Sequence, residues 1–176
     1  MNQKLIEQGI RLLVKGLDIG DDHNFDRTPQ RVAKAYAEIF CPPETGYPVF
    51  NEDYTDEVIL KGHKFYTLCP HHLLPVKLIA NIGYIPNGKV IGASKLARLI
   101  HEVNRKPMTQ EKLTAEILQA IKKLAGHKCS GAIVMLTGKH GCFRIRGIRS
   151  DAKMVTFKTA GKFRNGEMRE RFFSLI

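Results

Sequence analysis

The order of hydrophobic patterns along this 176-residue chain predicts an α+β domain carrying an N-terminal helical arm. Three observations support that reading. Segments 58–68 and 76–85 are rich in Val, Ile, Tyr and Phe, as half-buried strands are. Two stretches of helical spacing follow, opening at Ser94 and at Thr109. Strand-like segments then return at 132–136 and 142–149. Strands, two helices and strands again make an α+β body, in which helices and sheet segregate.

Each element has its own local reason. Ile6, Ile10, Leu13, Val14 and Leu17 form the apolar stripe of a first amphipathic helix, which Gly20, Asp21 and Asp22 are expected to end. Thr28 followed by Pro29 reads as an N-cap with proline in the first helical position, and Val32, Tyr36 and Ile39 continue one face to about Phe40. From Cys41 to Asp56 the prolines, Gly46 and a cluster of acids read as a linker, so the arm with its linker is assigned to 1–56 and the body to 57–176. Pro86-Asn87-Gly88 before Val90-Ile91 predicts a turn between strands. Ser94 reads as the cap of a helix bearing Leu96, Leu99, Ile100 and Val103 and running toward Pro107. Thr109 opens another with Leu113, Ile117, Ile121 and Leu124, and Gly126 suits the position past its end. A further strand at Val155–Lys158 and a short terminal helix through Phe172, Phe173 and Leu175 complete the chain, with neither internal repeats nor low-complexity tracts.

Composition narrows the function classes. A 43% hydrophobic and 26% charged chain is an ordinary globular one, and its length can bury a sizeable core. The formal charge of +11 points to an anionic partner: nucleic acid, a phosphorylated metabolite or an acidic surface. No apolar run approaches the roughly 20 residues of a membrane span, and MNQKLIEQGIRLL lacks an apolar signal core, so a cytoplasmic protein without a membrane partner is expected. In such a compartment Cys41, Cys69, Cys129 and Cys142 are expected to be buried, metal-bound or catalytic, not disulfide-bonded.

Chemistry concentrates in a few places. In Cys69-Pro70-His71-His72 a turn can bring a thiolate and an imidazole toward one point, both good ligands for zinc, although a surface cysteine beside two solvated histidines describes this segment equally well. In His140-Gly141-Cys142-Phe143-Arg144-Ile145-Arg146-Gly147 a strand would put His140, Cys142, Arg144 and Arg146 on one face and Phe143 and Ile145 in the core; an ordinary half-exposed strand has the same alternation. Cys142 joined to Cys69 and His72 makes three protein ligands, the number that leaves a catalytic zinc an open position. Gly92-Ala93-Ser94-Lys95-Leu96-Ala97-Arg98 is a turn into a helix N-terminus, a plausible phosphate cradle in which Ser94 also makes an ordinary cap. Glu111, beside Gln110, sits where an acid is usually a dipole effect and reads a base only in context. Histidines 23, 63, 101 and 127 and cysteines 41 and 129 are assigned to structure or surface.

In this order and spacing the segments resemble the GTP cyclohydrolase I family across nearly the whole chain. TPQRVAKAYAEIF is similar to that family's N-terminal helical signature, CPHH to its C-E-H-H, YIPNGKVIGASKLAR to its Y-I-P...V-I-G-L-S-K...R, QEKLTAEI to its Q-E-R-L-T and HGCFRIRGI to its H-x-C...R-G. The resemblance implies the tunnelling fold, an antiparallel sheet with two helices packed on one face, assembled into a toroidal homodecamer with sites at subunit interfaces. It implies Cys69, His72 and Cys142 as Zn2+ ligands and His71 and His140 as catalytic histidines. Glu111, with Gln110, would match the guanine-binding segment, while Ser94, Lys95, Arg98 and Arg146, with Arg31 from the arm, would match triphosphate contacts.

The implied reaction is hydrolytic opening of the GTP imidazole ring to formate and 7,8-dihydroneopterin triphosphate, a precursor for pterin, tetrahydrofolate or deazapurine synthesis. Pro70 stands where the family has glutamate, Lys112 where it has arginine, and Pro75-Val76-Lys77-Leu78 lacks a glycine common after the histidine pair. Two other readings compete: a tunnelling-fold enzyme acting on a related purine nucleotide or pterin, and a basic, zinc-stabilised nucleic-acid-binding protein. The second lacks a stacking motif, a recognition-helix pattern and a closed four-ligand site. A non-catalytic nucleotide-binding member is opposed by the intact His71 and His140.

Overall fold

In the computed structural model, which describes residues 1–42, 46, 48–126 and 129–176, the chain divides into two compact units, 1–44 and 45–176. In the first unit, α1 (Gln3–Gly16) packs on α2 (Thr28–Phe40). Asn2 caps α1, its side chain accepting from Leu5 N at 3.1 Å. The helix ends at Gly16, four residues before the expected glycine, because Asp18 takes a left-handed conformation at φ 56°. Arg27, not Thr28, occupies the N-cap of α2, which shifts Pro29 one position into the first turn, where a missing N–H still costs nothing.

The second unit is built on an antiparallel sheet ordered β2-β3-β5-β6, from β2 (Val58–Leu68), β3 (Pro75–Ile85), β5 (Gly131–His140) and β6 (Met154–Gly161). Two helices, α3 (Ala93–Val103) and α4 (Gln110–Ala125), supply the apolar residues that meet one face of it. Alternation decides which face: Val76, Leu78, Ala80, Ile82 and Tyr84 of β3 and Ala132, Val134 and Leu136 of β5 join Leu96, Leu99 and Ile100 of α3 and Leu113, Ile117 and Ile121 of α4 in one core. On the other face Ile85 and Ile133 make a small cluster with Phe163 and with Phe172 of α6 (Gly166–Leu175). This is the α+β arrangement of antiparallel sheet and paired helices that the sequence predicts. Thr109 caps α4 with its hydroxyl toward Lys112 N, and Gly126 leaves the helix at φ 79°.

Four expectations change. Val90–Ile91 does not pair with β3; as β4 it pairs with β1 (Val49–Phe50), a strand inside the expected linker, so residues 49–50 belong with the body. Ser94 is not the cap of α3: Gly92 holds that position without a side-chain bond, and Ser94 lies in the first turn. The same helix stops at Val103, where buried Asn104 donates instead to Tyr66 O at 2.8 Å. The predicted strand 142–149 is replaced by a short helix, α5 (Gly141–Arg144), and a loop closed by Ser150 N donating to Phe143 O at 3.0 Å. Arg149 at φ 52° and Gly147 at φ 60° are incompatible with a continuing strand. Ile145, expected in the core, is 64% exposed.

Gly161 and Gly126 separate two uses of glycine. Both have positive φ, but a Cβ on Gly161 would fall on the Ser130 carbonyl oxygen and within 2.8 Å of Gly131 Cα, whereas one on Gly126 meets nothing within 4 Å. Gly126→Ala should cost about 1–3 kcal/mol, the conformational penalty alone, because φ 79° with ψ −178° is a region that essentially only glycine adopts. Gly161→Ala should cost clearly more, read as a larger drop in urea midpoint at unchanged slope. Equal drops would show that the crowding at Gly161 relaxes freely.

Candidate active site

The site is made where β2, β3, β5 and α4 end near one another. The chain leaves β2 at Cys69 and returns at Pro75 through a turn closed by two backbone bonds, Leu73 N to Cys69 O at 2.8 Å and Cys69 N to Leu74 O at 2.9 Å. Pro70 supports this turn, since its fixed φ suits the second position. Leu73 accepts a left-handed conformation at φ 53° to complete it. His71 and His72 are thereby folded back, with Nδ1 atoms 3.8 and 3.7 Å from Cys69 Sγ.

Cys142 arrives from the other side. Val76 of β3 is paired with His140 of β5, so β5 ends beside the start of β3. Gly141 then starts the helical turn against that strand: a Cβ there would lie 2.8 Å from Pro75 O. The turn carries Cys142 back toward Cys69, and ligand atoms of Cys69, His72 and Cys142 all lie within 4.8 Å of one another. A tetrahedral zinc, at about 2.3 Å from sulfur and about 2.0–2.1 Å from nitrogen, fits between donors spaced like Cys69 and His72. The donor chemistry agrees. Burial and then the neighbouring Cys69 push the Cys142 thiol up, because two thiols without a counter-charge resist ionisation, and a bound dication would reverse that. Arg146, in the loop after α5, donates from Nη1 to His72 Nε2 at 3.2 Å, which in the neutral ring leaves the hydrogen on Nδ1, facing the Cys69 sulfur; Nδ1 ligates a metal only once that hydrogen has left it and Arg146 has released Nε2.

Cys69, His71 and Cys142 share a cleft of about 270 Å³ with Glu111, at the start of α4, and with His140. Burial lowers the His140 pKa, and the Glu111 carboxylate opposes that shift. The His140 ring stacks on Phe143 with centroids 5.7 Å apart. Gln110 is 4% exposed; its amide nitrogen donates to Leu136 O at 3.0 Å and Met154 O at 3.1 Å, and its oxygen faces His140 Nε2 at 2.8 Å.

The remaining predicted residues are placed elsewhere. Ser94 and Arg98 are exposed on α3 with half-buried Lys95 between them, outside the residues that line this cleft, and Arg31 is exposed on α2 of the first unit. Thr67, Met108, Phe143 and Met154 also line the cleft. They carry no sequence signal, because apolar and hydroxyl residues at strand and helix ends look like core. His63 and His101 stack edge to face with ring centroids 5.4 Å apart on β2 and α3, Cys129 donates to Gly131 O, and Cys41 and His23 are exposed. His127 lies outside the described residues.

An antiparallel sheet backed by two helices, with a Cys-His-Cys group that could hold a metal ion and two histidines beside it, defines an α+β domain with a candidate metal-binding cleft. The comparisons narrow this: the family model described as GTP cyclohydrolase I matches residues 6–176, and the chain belongs to that family. It is 38% identical over 175 residues to the protein named GTP cyclohydrolase 1 of Bacillus cytotoxicus, covering 94% of this chain and 90% of that one. The GTP cyclohydrolase 1 of Bacillus mycoides matches with the same figures. Among solved structures, the archaeosine synthase QueF-Like in its apo form is 14% identical, with a TM-score of 0.46 over 62% of this chain and 96% of that chain.

The Cys-His-Cys group generates a direct test. Protein loaded with zinc and dialysed should retain about one ion per chain, and Cys142→Ala should retain well below that, since a three-ligand site reduced to two binds far more weakly. Elemental analysis checks both. Full retention in Cys142→Ala would exclude this cluster as the site.

Proposed function

We propose that this chain is a zinc-dependent hydrolase that opens the imidazole ring of GTP, yielding formate and 7,8-dihydroneopterin triphosphate. Family membership across nearly the whole chain supports the reaction, and the observation that carries it is the convergence of Cys69, His72 and Cys142 with His71, His140 and Glu111 at one cleft end. Cys69, His72 and Cys142 would hold zinc, which when bound supplies Lewis-acid chemistry toward water and the ring carbon between the imidazole nitrogens. His140 and His71 exchange protons with the opening ring, a task suited to imidazole because its pKa lies near neutrality. Glu111 accepts hydrogen bonds from guanine N1–H and the exocyclic amino group, a donor pair that adenine lacks.

Arg146 binds triphosphate together with Ser94, Lys95 and Arg98 on α3 and with Arg31. Because the α3 residues fall outside the cleft lining of their own chain, we place their contribution in a neighbouring subunit's site, within a homo-oligomer of the decameric kind. Phosphate binding then accounts for part of the positive charge without nucleic acid.

Incubation with GTP, oxidation and pterin fluorescence test the reading, with formate release as a second readout. Glu111→Gln should lower kcat/KM for GTP about 10- to 100-fold, the consequence of losing ~1.5–3 kcal/mol of charged hydrogen bonding. Unchanged turnover and unchanged discrimination against ATP would remove Glu111 from base recognition.

Pro70 is exposed and borders the cleft where the family has a carboxylate. Since the turn is closed by backbone bonds, Pro70→Glu should leave zinc content unchanged, and if GTP is the substrate turnover should rise or stay similar. Loss of zinc would show that proline holds the ligands in place, and abolished activity with zinc intact would favour a related purine nucleotide or pterin as substrate.

A further inference from the structure

The sequence reading puts Gln110 beside Glu111 as a guanine contact, but its side chain is committed elsewhere. Leu136 O and Met154 O can only accept, so the nitrogen of the Gln110 amide must face them, at 3.0 and 3.1 Å. Two hydroxyls lock the same orientation. Thr114 spends its hydrogen on Gln110 O at 2.7 Å; Thr156, 2.7 Å from Thr114 Oγ1, must therefore donate to it and present its own oxygen to Gln110 Nε2 at 3.1 Å. The two hydrogens of the Gln110 amide thus serve three acceptors, one of them shared, and Gln110 and Thr114 are 4% and 2% exposed beside half-buried Thr156, so water has little access.

With the nitrogen fixed, the amide oxygen is fixed too, 2.8 Å from His140 Nε2. An amide oxygen can only accept, so Nε2 must carry hydrogen. Space for the contact comes from β5: a Cβ on Gly138 would fall on Gln110 Oε1 and lie 2.9 Å from His140 Nε2. Glycine is required there by this hydrogen bond, not by backbone conformation.

We infer that Gln110 is a positioning residue that holds neutral His140 as its Nε2–H tautomer, leaving Nδ1 as the lone-pair nitrogen, and that Gly138 is the position that admits this contact. The inference rests on the proposed role of His140 in proton transfer. Its consequence is that a proton carried by His140 is exchanged at Nδ1, because Nε2 stays bonded to Gln110 whether the ring is neutral or charged.

The experiment is long-range proton–nitrogen NMR on zinc-loaded protein with 15N-histidine, above the imidazole titration range, with His140 assigned by the signal lost in His140→Gln. Wild type should show His140 protonated at Nε2. Gln110→Met and Gly138→Ala should shift it to a mixture of tautomers with zinc content unchanged. A wild-type ring protonated at Nδ1, or an unaltered pattern in both Gln110→Met and Gly138→Ala, would overturn the assignment. In GTP turnover, Gln110→Met should lower kcat about tenfold or more, a part of the ~10²–10⁴ that a general acid-base group supplies, with KM nearly unchanged. An unchanged kcat despite mixed tautomers would count against the catalytic role of His140 and leave the positioning by Gln110 standing.

Discussion

The antiparallel ladder between β3 and β5 is the constraint on which the cleft depends. It runs without a register shift from Ile85 opposite Gly131 to Val76 opposite His140, and a slip of one residue would turn every core side chain of either strand to the wrong face. Leu78, Ala80, Ile82, Val134 and Leu136 are fully buried against α3 and α4, so the register is held by apolar burial that begins at the cleft wall, where Leu78 lies, and runs away from it. Its last pair sets the site. With Val76 opposite His140, the turn through Cys69, His71 and His72 and the turn through Cys142 leave the same end of the sheet.

Glycines let that end close. Gly141 brings the chain against the Pro75 carbonyl, and Gly138 lets the amide of Gln110 reach His140 across β5. Side chains at either position would hold backbone and ring apart. Dense packing and dense hydrogen bonding are thus properties of the same few residues, which orient the ring without a charged neighbour in direct contact. Such a largely buried polar ring resists rearrangement, because breaking one bond leaves a buried group unpaired at a cost of ~1–3 kcal/mol.

The edges of the sheet are less committed. Val155 and Phe157 of the edge strand β6 are more than half exposed, as is Tyr66 on the other edge strand, β2. An open sheet with apolar residues at both edges is the kind of surface that assembly covers, and the proposed placing of the α3 residues in a neighbour's cleft rests on such an assembly.

Period and chemistry were enough to read the strands 58–68 and 76–85, the helix opened by Thr109 and the pairing of Cys142 with Cys69 and His72, because apolar alternation, capping and ligand type are properties of neighbouring residues or of residue kind. The segment after His140 was misread as a strand for the same reason. Alternating Arg and apolar residues imitate period two, while what bends the chain is the space beside Pro75, some 65 residues earlier. Val90 and Ile91 likewise found a partner about 40 residues upstream, which no local pattern announces. Gln110 shows the division most clearly. Its sequence position marks it as belonging to the site, but its partners Leu136, His140, Met154 and Thr156 lie 26 to 46 residues away. Sequence alone therefore determined which residues could do the chemistry. Only the packing of α4 on β5 and β6 decided which group holds a ring and which faces the cleft, since hydrogen-bond direction depends on what tertiary contact places opposite each donor.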